Sequence, residues 1–471
     1  MSEIWRKNFT FAQSFSVKPK NFIDKMNKKC MTLIVSTLVS LVTPNLSHAQ
    51  GNGAAYVGNM DLNLKKAIEI ALAENPTIKV ADKDIQLKEI ADKEAWQALL
   101  PSVSASLSLS HSIQVAAIKT AMGEFKMGSD GTTTATGGLT MTLPIYAPAV
   151  YQNMKMTKED ILLAQEKARS SRLDLINQVT KAYYAALLSK DSRDVIKRSY
   201  NVAKENYDVV DKKFQVGKVS EYDKITAEVQ MRSMSSSVTS AETGLNLALL
   251  RLKVLMGIKT DIDITLRDSL KAYEKNLTLA KAEVNESELS NNTSLRQLDM
   301  SKNMLERSNK LLKTNFLPTV GMQLQGSYTS YSNENWNVFN YKYSPSSTLA
   351  LSVTVPIFQA SNWTKLKSNR LQISQLADTR TNTMRQLSMA AQSYRQNMLT
   401  TISKLESDRE AVRKADKAVT ISAKRYDVGR GTILELNQSE TALTQAELTY
   451  RQSIYDYLTN KADLDYTLGR E

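Results

Sequence analysis

The chain of 471 residues contains a second copy of itself. Asn75 and Pro101 return as Asn292 and Pro318, which lie 217 residues further along. Three later motifs return after 212 residues: Leu143-Pro144-Ile145-Tyr146 as Val355-Pro356-Ile357-Phe358, Phe214-Gln215-Val216-Gly217 as Tyr426-Asp427-Val428-Gly429, and Met256-Gly257 as Leu468-Gly469. A period this long exceeds that of solenoid repeats. We therefore predict one internally duplicated fold.

The motifs divide the chain into a leader and two repeats. We expect a first repeat over 50–257, a connector over 258–284 and a second repeat over 285–471, with both repeats forming one body. Residues 1–49 are typical of a leader with a signal peptide, because a basic start at Met26 precedes an apolar segment and small residues around Ala49. This interpretation predicts a true start at Met26 and cleavage near Ala49. The single cysteine, Cys30, falls in the leader, so we expect no disulfide in the mature chain.

Two regions of each repeat alternate between apolar and small polar residues. In the first repeat, Val103, Ala105, Leu107 and Leu109 are separated by single serines. Such alternation predicts strands, here two hairpins whose polar faces are Ser, Thr and Gln with hardly a charge. The pattern is typical of outer-membrane strands, although a half-buried sheet of a soluble protein is the alternative. Four strands cannot close a barrel, and an open edge is not viable in lipid, so a membrane location requires several chains to share one barrel.

Two very long helices follow the hairpins. Neither 150–215 nor 360–428 contains proline or glycine, and about 65 residues of helix extend about 100 Å. Gly217 and Gly429 then predict tight turns. Apolar residues recur every seven positions in the second long helix and in both return helices, which predicts coiled-coil packing. The second long helix carries Met384, Ala391, Met398, Leu405, Val412, Val419 and Tyr426.

The composition excludes several classes of function. The two histidines are His48, in the leader, and His111, in a predicted strand, so neither a catalytic triad nor a His/Cys metal site is credible. We find no phosphate loop or dinucleotide motif and predict no cofactor and no enzyme activity. The formal net charge is +13, but the basic residues are spread along helices with acidic residues between them. Nucleic-acid binding requires a basic cluster on one face, so we expect no nucleic-acid partner.

Over about residues 60–470 the chain resembles the TolC-like outer-membrane efflux proteins. The resemblance lies in the order of the motifs given above, found twice. It implies a mainly α fold with a small β part, in which three chains form a 12-stranded outer-membrane β-barrel above a periplasmic α-helical barrel. It also implies location in the cell outer membrane with a long periplasmic portion, and the role of a passive channel. The implied partners are an inner-membrane transporter, a periplasmic adaptor protein and outer-membrane lipid.

The resemblance also assigns roles to particular residues. The turns at Gly217-Lys218 and Gly429-Arg430 correspond to the adaptor-docking ends of the long helices. Counted from the second turn, Glu435 matches the first acidic ring of the periplasmic gate. Asp223 is its equivalent in the first repeat.

Three further positions concern the same gate. Gln438 occupies the second acidic position, which is therefore neutral here. Tyr426 matches a tyrosine that helps to hold the gate shut, and Gly431 stands where some members have a latching arginine. In a narrow pore, three symmetry-related Glu435 carboxylates are expected to attract cations.

Two other classes of protein also contain long helices. A periplasmic coiled-coil adaptor has one helical hairpin on β-domains, whereas this chain has two copies with proline-bordered hairpins. A soluble coiled-coil scaffold explains the heptads but not the charge-poor alternating strands.

Overall fold

A computed structural model describes residues 60–120, 123–126, 129–274, 286–333 and 338–470, which all lie in one compact unit. The predicted leader over 1–49, with its start at Met26 and cleavage near Ala49, lies outside the described residues. So do residues 275–284 of the predicted connector.

In the described residues, the first repeat, the connector and the start of the second repeat together contain fourteen elements of regular structure. In chain order they are β1 (Met60–Leu62), α1 (Leu64–Glu74), α2 (Pro76–Gln97), β2 (Ser102–Ser112), β3 (Ala117–Thr120), β4 (Gly123–Lys126), β5 (Thr132–Tyr146), α3 (Pro148–Gln215), α4 (Glu221–Met256), β6 (Ile264–Leu266), α5 (Leu270–Glu274), α6 (Glu286–Leu289), α7 (Thr293–Thr314) and β7 (Thr319–Ser332). A 3₁₀ turn (Val338–Asn340), β8 (Ser344–Thr354), α8 (Ala360–Asp427) and α9 (Ile433–Thr467) complete the chain.

The predicted order of elements is confirmed in both repeats. The long helices α3 and α8 each contain 68 residues, which corresponds to about 100 Å. Each long helix packs along its own return helix, α4 or α9. Asn75 and Asn292 begin the corresponding helices α2 and α7, where each side chain accepts a hydrogen bond from a backbone N–H of the first turn. The fold is therefore mainly helical with a small β part.

The two hairpins form a single antiparallel sheet in the order β2-β5-β7-β8. The central pair, β5 and β7, joins the two repeats. Pro144 was expected at the border of a hairpin, but β5 continues to Tyr146 with a register shift between the two residues. The pairing of β2 with β5 ends at Thr142, so the missing N–H of Pro144 breaks no hydrogen bond to β2.

The predicted number of strands was wrong, because the described residues form eight strands and not four. β1 and β6 form a two-stranded parallel sheet, and β3 and β4 form a short antiparallel pair in the loop between β2 and β5. These strands have three or four residues each, which is too short to produce a recognisable alternation.

The buried side chains form two separate cores. The larger core surrounds the connector and draws residues from both repeats, including Leu62, Tyr183, Met256, Leu270 and Tyr457. The smaller core lies at the turn end of the long helices, and we call it the tip core. It consists of Val210, Ala227, Ile433 and Leu436, with Tyr207, Val219, Ala423 and Tyr426 packed against it. Among the described helices, none has the length and apolarity needed to cross a membrane.

Candidate functional site

The register of the four-stranded sheet places its apolar residues on one face. Val103 of β2 is opposite Met141 of β5, which is opposite Leu324 of β7. Leu324 in turn is opposite Leu349 of β8. Because directly paired residues share a face, this row crosses the whole sheet. The face is exposed in the single chain: Val103 is 67% and Leu349 is 68% accessible.

The opposite face is small and polar. Ser104, Thr140, Gln325 and Thr348 form one row across it by successive pairing. Hydroxyl groups bridge neighbouring strands, as between Ser327 and Ser346, whose oxygens are 2.8 Å apart. The sheet therefore has one apolar face, which suits contact with lipid, and one polar face, which suits contact with water. The strands at its two edges, β2 and β8, are each paired on one side only within the described chain.

The other candidate site is the turn end of the helices. Gly217 has a φ of +75° and donates its N–H to the Phe214 carbonyl at 2.8 Å, and Lys218 donates to the Lys213 carbonyl at 2.8 Å. These two bonds form a Schellman motif, which satisfies the last carbonyls of α3. A Cβ at Gly217 would meet nothing within 4 Å, so the backbone angle alone requires glycine.

The second turn has the same geometry. Gly429 has a φ of +71° and donates to the Tyr426 carbonyl at 3.1 Å, and Arg430 donates to the Arg425 carbonyl at 2.8 Å. Lys218 and Arg430 are both exposed. The structure thus presents one basic side chain directly after each glycine.

Asp223 is engaged at the start of α4. Its carboxylate accepts hydrogen bonds from the Ser220 N–H at 3.2 Å and the Ser220 hydroxyl at 2.8 Å. Ser220 Oγ accepts the Asp223 N–H at 3.2 Å in return. This reciprocal capping box fixes the first turn of the helix. Asp223 therefore has a structural role in addition to any role in the gate.

Glu435 occupies the equivalent position in α9 but behaves differently. Its N–H donates to Thr432 Oγ1 at 3.2 Å, which caps the helix. Its carboxylate lies 3.5 Å from the guanidinium of Arg425, at the end of α8. The two equivalent acids therefore have different partners in their own chain.

Tyr426 joins the two turns. It packs against the tip core, and Lys213 Nζ lies 4.9 Å from the centroid of its ring. Burial raises the pKa of the Tyr426 hydroxyl, and the nearby carboxylates of Asp223 and Asp427 add to the rise. The Tyr426 hydroxyl therefore lies within electrostatic reach of the Asp223 carboxylate.

Gln438 is exposed on α9 and lines a groove between α4 and α9. The groove has a volume of about 630 Å³ and no charged residue in its lining. Its walls are Ile225, Thr226, Val229 and Gln230 from α4 and Leu434, Asn437, Gln438, Thr441, Ala442 and Gln445 from α9.

Sequence reasoning did not identify Arg425 and Lys213 as parts of this site. Both belong to the last turn of a long helix, where basic residues are favoured by the helix dipole. That preference could have drawn attention to these two basic residues, but it does not predict which side chains they contact. In the described ranges, no group of three or more His, Cys, Asp or Glu residues is arranged to hold a metal ion.

A duplicated chain with an exposed apolar sheet face and two coiled-coil hairpins defines an outer-membrane channel protein. The family model described as "Outer membrane efflux protein" matches residues 67–258 and 266–470, which fall largely in the two repeats. The chain therefore belongs to the outer membrane efflux protein family, and its location is the outer membrane.

Individual relatives are distant but match over most of their length. The chain is 22% identical over 416 residues to the alkaline protease secretion protein AprF of Pseudomonas aeruginosa, covering 87% of this chain and 84% of the relative. It is 23% identical over 420 residues to the outer membrane protein TolC of Salmonella enteritidis, covering 86% and 82%. The fold is similar to that of the Campylobacter jejuni CmeC outer membrane channel, with a TM-score of 0.69, 18% identity and coverage of 87% and 86%.

Proposed function

We propose that the chain is the outer-membrane exit duct of a tripartite efflux or secretion system. Three chains form one passive channel, which carries small molecules or polypeptides delivered by an inner-membrane transporter and a periplasmic adaptor. AprF is named for the secretion of a protease, which supports a secretion role among relatives.

The observation that carries the proposal is the four-stranded sheet with its open edges. Its apolar face is exposed, and β2 and β8 present unpaired backbone groups within the single chain. Unpaired edges are too costly in lipid, so the sheet must be closed by other chains. β2 and β8 run in opposite directions, since three antiparallel pairings separate them, and β8 of one chain can therefore pair antiparallel with β2 of the next. Three such sheets supply twelve strands.

The turn end of the helices is the periplasmic entrance in this proposal. Tyr426, Asp223, Glu435 and Gln438 lie at its tight end, where the tip core holds both hairpins of one chain together. A coiled-coil adaptor or scaffold is less well supported, because neither accounts for a sheet with one mainly apolar and one mainly polar face.

Planar-bilayer recording tests the channel directly. The purified protein should insert and give discrete conductance steps, because twelve strands enclose a water-filled lumen lined by the serine and threonine face. Heat-denatured protein from the same preparation is the control. Absence of steps from native protein that has been shown to insert into the bilayer would contradict the proposal.

Adaptor docking at the turns is tested by bulky substitution of the exposed basic residues. We expect Lys218→Trp and Arg430→Trp to abolish complementation of a deletion strain while leaving membrane insertion intact. Neither change alters the glycine that each turn needs. Lys83→Trp, at an exposed position on α2, is the control and should complement. Full complementation by both turn variants would exclude docking at these two side chains.

A further inference from the structure

The Glu435 carboxylate, which was expected to make the gate acidic, lies beside the guanidinium of Arg425. Arg425 Nη1 lies 3.5 Å from Glu435 Oε2. Arg425 Nη2 donates a hydrogen bond to the Arg430 carbonyl at 3.3 Å, which holds the guanidinium against the turn. The cation and the anion therefore come from the two sides of one helical hairpin.

The turn leaves room for this pair at Gly431. A Cβ added there would lie 3.1 Å from Arg425 Cβ and 3.3 Å from Glu435 Oε2. Both distances are tighter than ordinary contacts, so a side chain at 431 would require Arg425 or Glu435 to shift by a few tenths of an ångström. The φ of Gly431 is not positive, in contrast to that of Gly429. The close contacts, and not the backbone angle, are therefore what favours glycine at this position.

The rest of the entrance has no free charge on α9. Between Ile433 and Gln445 the sequence contains two charged residues, Glu435 and Glu440. Glu440 is turned toward α3, where its Oε1 accepts a hydrogen bond from Asn206 Nδ2 at 2.6 Å. The groove between α4 and α9, which begins in the same turns, is lined by uncharged residues alone.

We propose that Arg425 neutralises Glu435, so that the entrance of this channel discriminates little between cations and anions. The inference rests on the proposed function, because it needs Glu435 to lie at the entrance. The two charges are 3.5 Å apart, so their fields largely cancel at distances from the pair that are much greater than this separation. Three such pairs around the axis therefore attract ions far less than three unpaired carboxylates. The cargo that fits such an entrance is neutral or amphiphilic. Arg425 is thus a specificity-determining residue, which reverses the expectation of a cation-attracting ring.

Reversal potentials in a salt gradient across planar bilayers test the pair. We expect the wild-type channel to select weakly, Arg425→Gln to prefer cations and Glu435→Gln to prefer anions. The double variant, R425Q/E435Q, should return to weak selectivity because it removes both charges. Arg380→Gln is the matched control. Arg380 pairs with Asp299 at 2.6 Å and lies about 70 Å from Arg425, toward the start of α8, so its substitution should leave selectivity unchanged.

Each other outcome has a distinct meaning. If Glu435→Gln lowers a cation preference of the wild type while Arg425→Gln changes nothing, the residue lines the entrance unpaired and the inference is wrong. If neither variant alters selectivity, Glu435 does not control the entrance and the inference is also wrong. Both results leave the proposed function intact, whereas a wild-type protein that forms no channel contradicts the proposed function itself. Equal thermal unfolding of the variants in detergent excludes misfolding as a cause.

Discussion

At the scale of single residues, the sequence repeats mark one structural joint that occurs twice. Asn75 Nδ2 donates to the Leu255 carbonyl at 2.8 Å, which ties the start of α2 to the end of α4. In the second repeat, Asn292 Nδ2 donates to the Thr467 carbonyl at 2.8 Å. The glycine that follows each return helix lies against the same segment. The widely separated asparagine and glycine motifs therefore belong to one contact.

Gly257 tests the importance of this joint. It has a φ of +70°, and a Cβ there would lie 2.8 Å from the Glu74 carbonyl oxygen and 2.9 Å from Asn75 Cα. Left-handed backbone in a residue other than glycine costs about 1–3 kcal/mol, and the overlap with backbone adds to it. We expect Gly257→Ala to lower the free energy of unfolding by about 2 kcal/mol or more, measured by denaturation in detergent.

The matched control is Gly244→Ala in the middle of α4. A Cβ at Gly244 meets nothing within 4 Å, so alanine should stabilise the helix by about 0.5–1 kcal/mol. If Gly257→Ala and Gly244→Ala have the same effect, the close approach at Gly257 is unimportant for stability.

The sequence allowed the turn glycines to be predicted but not the partner of Glu435. The turn glycines were predictable, because a helix reversal without glycine requires strained backbone. The partner of Glu435 was not, because the pairing of Arg425 across the turn depends on the angle between two helices and on the space at Gly431. Helical or strand periodicity contains no information about either.

At the scale of elements, the connector is fixed to α3 by polar contacts. Lys190 Nζ donates to the carbonyls of Leu266 and Asp268 at 2.7 and 3.0 Å. The first N–H of α5, from Leu270, donates to Asp191 Oδ2 at 3.0 Å. Burial raises the pKa of the Asp191 carboxyl, while the Leu270 N–H opposes this rise. The charged form of Asp191 is therefore disfavoured in the folded protein relative to the unfolded chain.

This shift predicts a dependence of stability on pH. A carboxyl whose pKa is higher in the folded state contributes most stability at low pH and loses it as the pH rises through the interval from its unfolded pKa, near 3.9, to its folded pKa. Asp191→Asn keeps an oxygen for Leu270 but cannot ionise. We expect Asp191→Asn to be more stable than the wild type at pH 7, with a smaller difference at pH 4, in chemical denaturation. A gain that is larger at pH 4 would contradict the sign.

Elements were predictable where a pattern repeats along them. Long glycine-free segments and alternating strands gave the positions of α3, α8 and the four-stranded sheet, because each has many residues in one regular environment. The short parallel strands β1, in the first repeat, and β6, in the connector, were missed, since a strand of three residues has too few positions to show a period.

At the scale of the whole molecule, the described part of the chain leaves a large apolar surface exposed. Ile357 and Phe358, just beyond the edge strand β8, are 95% and 81% accessible, and the apolar face of the sheet adds a continuous band. Monomeric soluble proteins rarely expose such surfaces. In the proposed assembly, lipid and neighbouring chains cover this surface.

The stoichiometry of the particle tests the central claim most directly. The protein extracted from outer membranes in mild detergent should have the mass of three chains, measured by native mass spectrometry or by light scattering corrected for bound detergent. Three chains of four long strands each would account for both open edges of the sheet. A native particle with the mass of one chain, or recovery of the folded protein from the soluble fraction, would contradict the account.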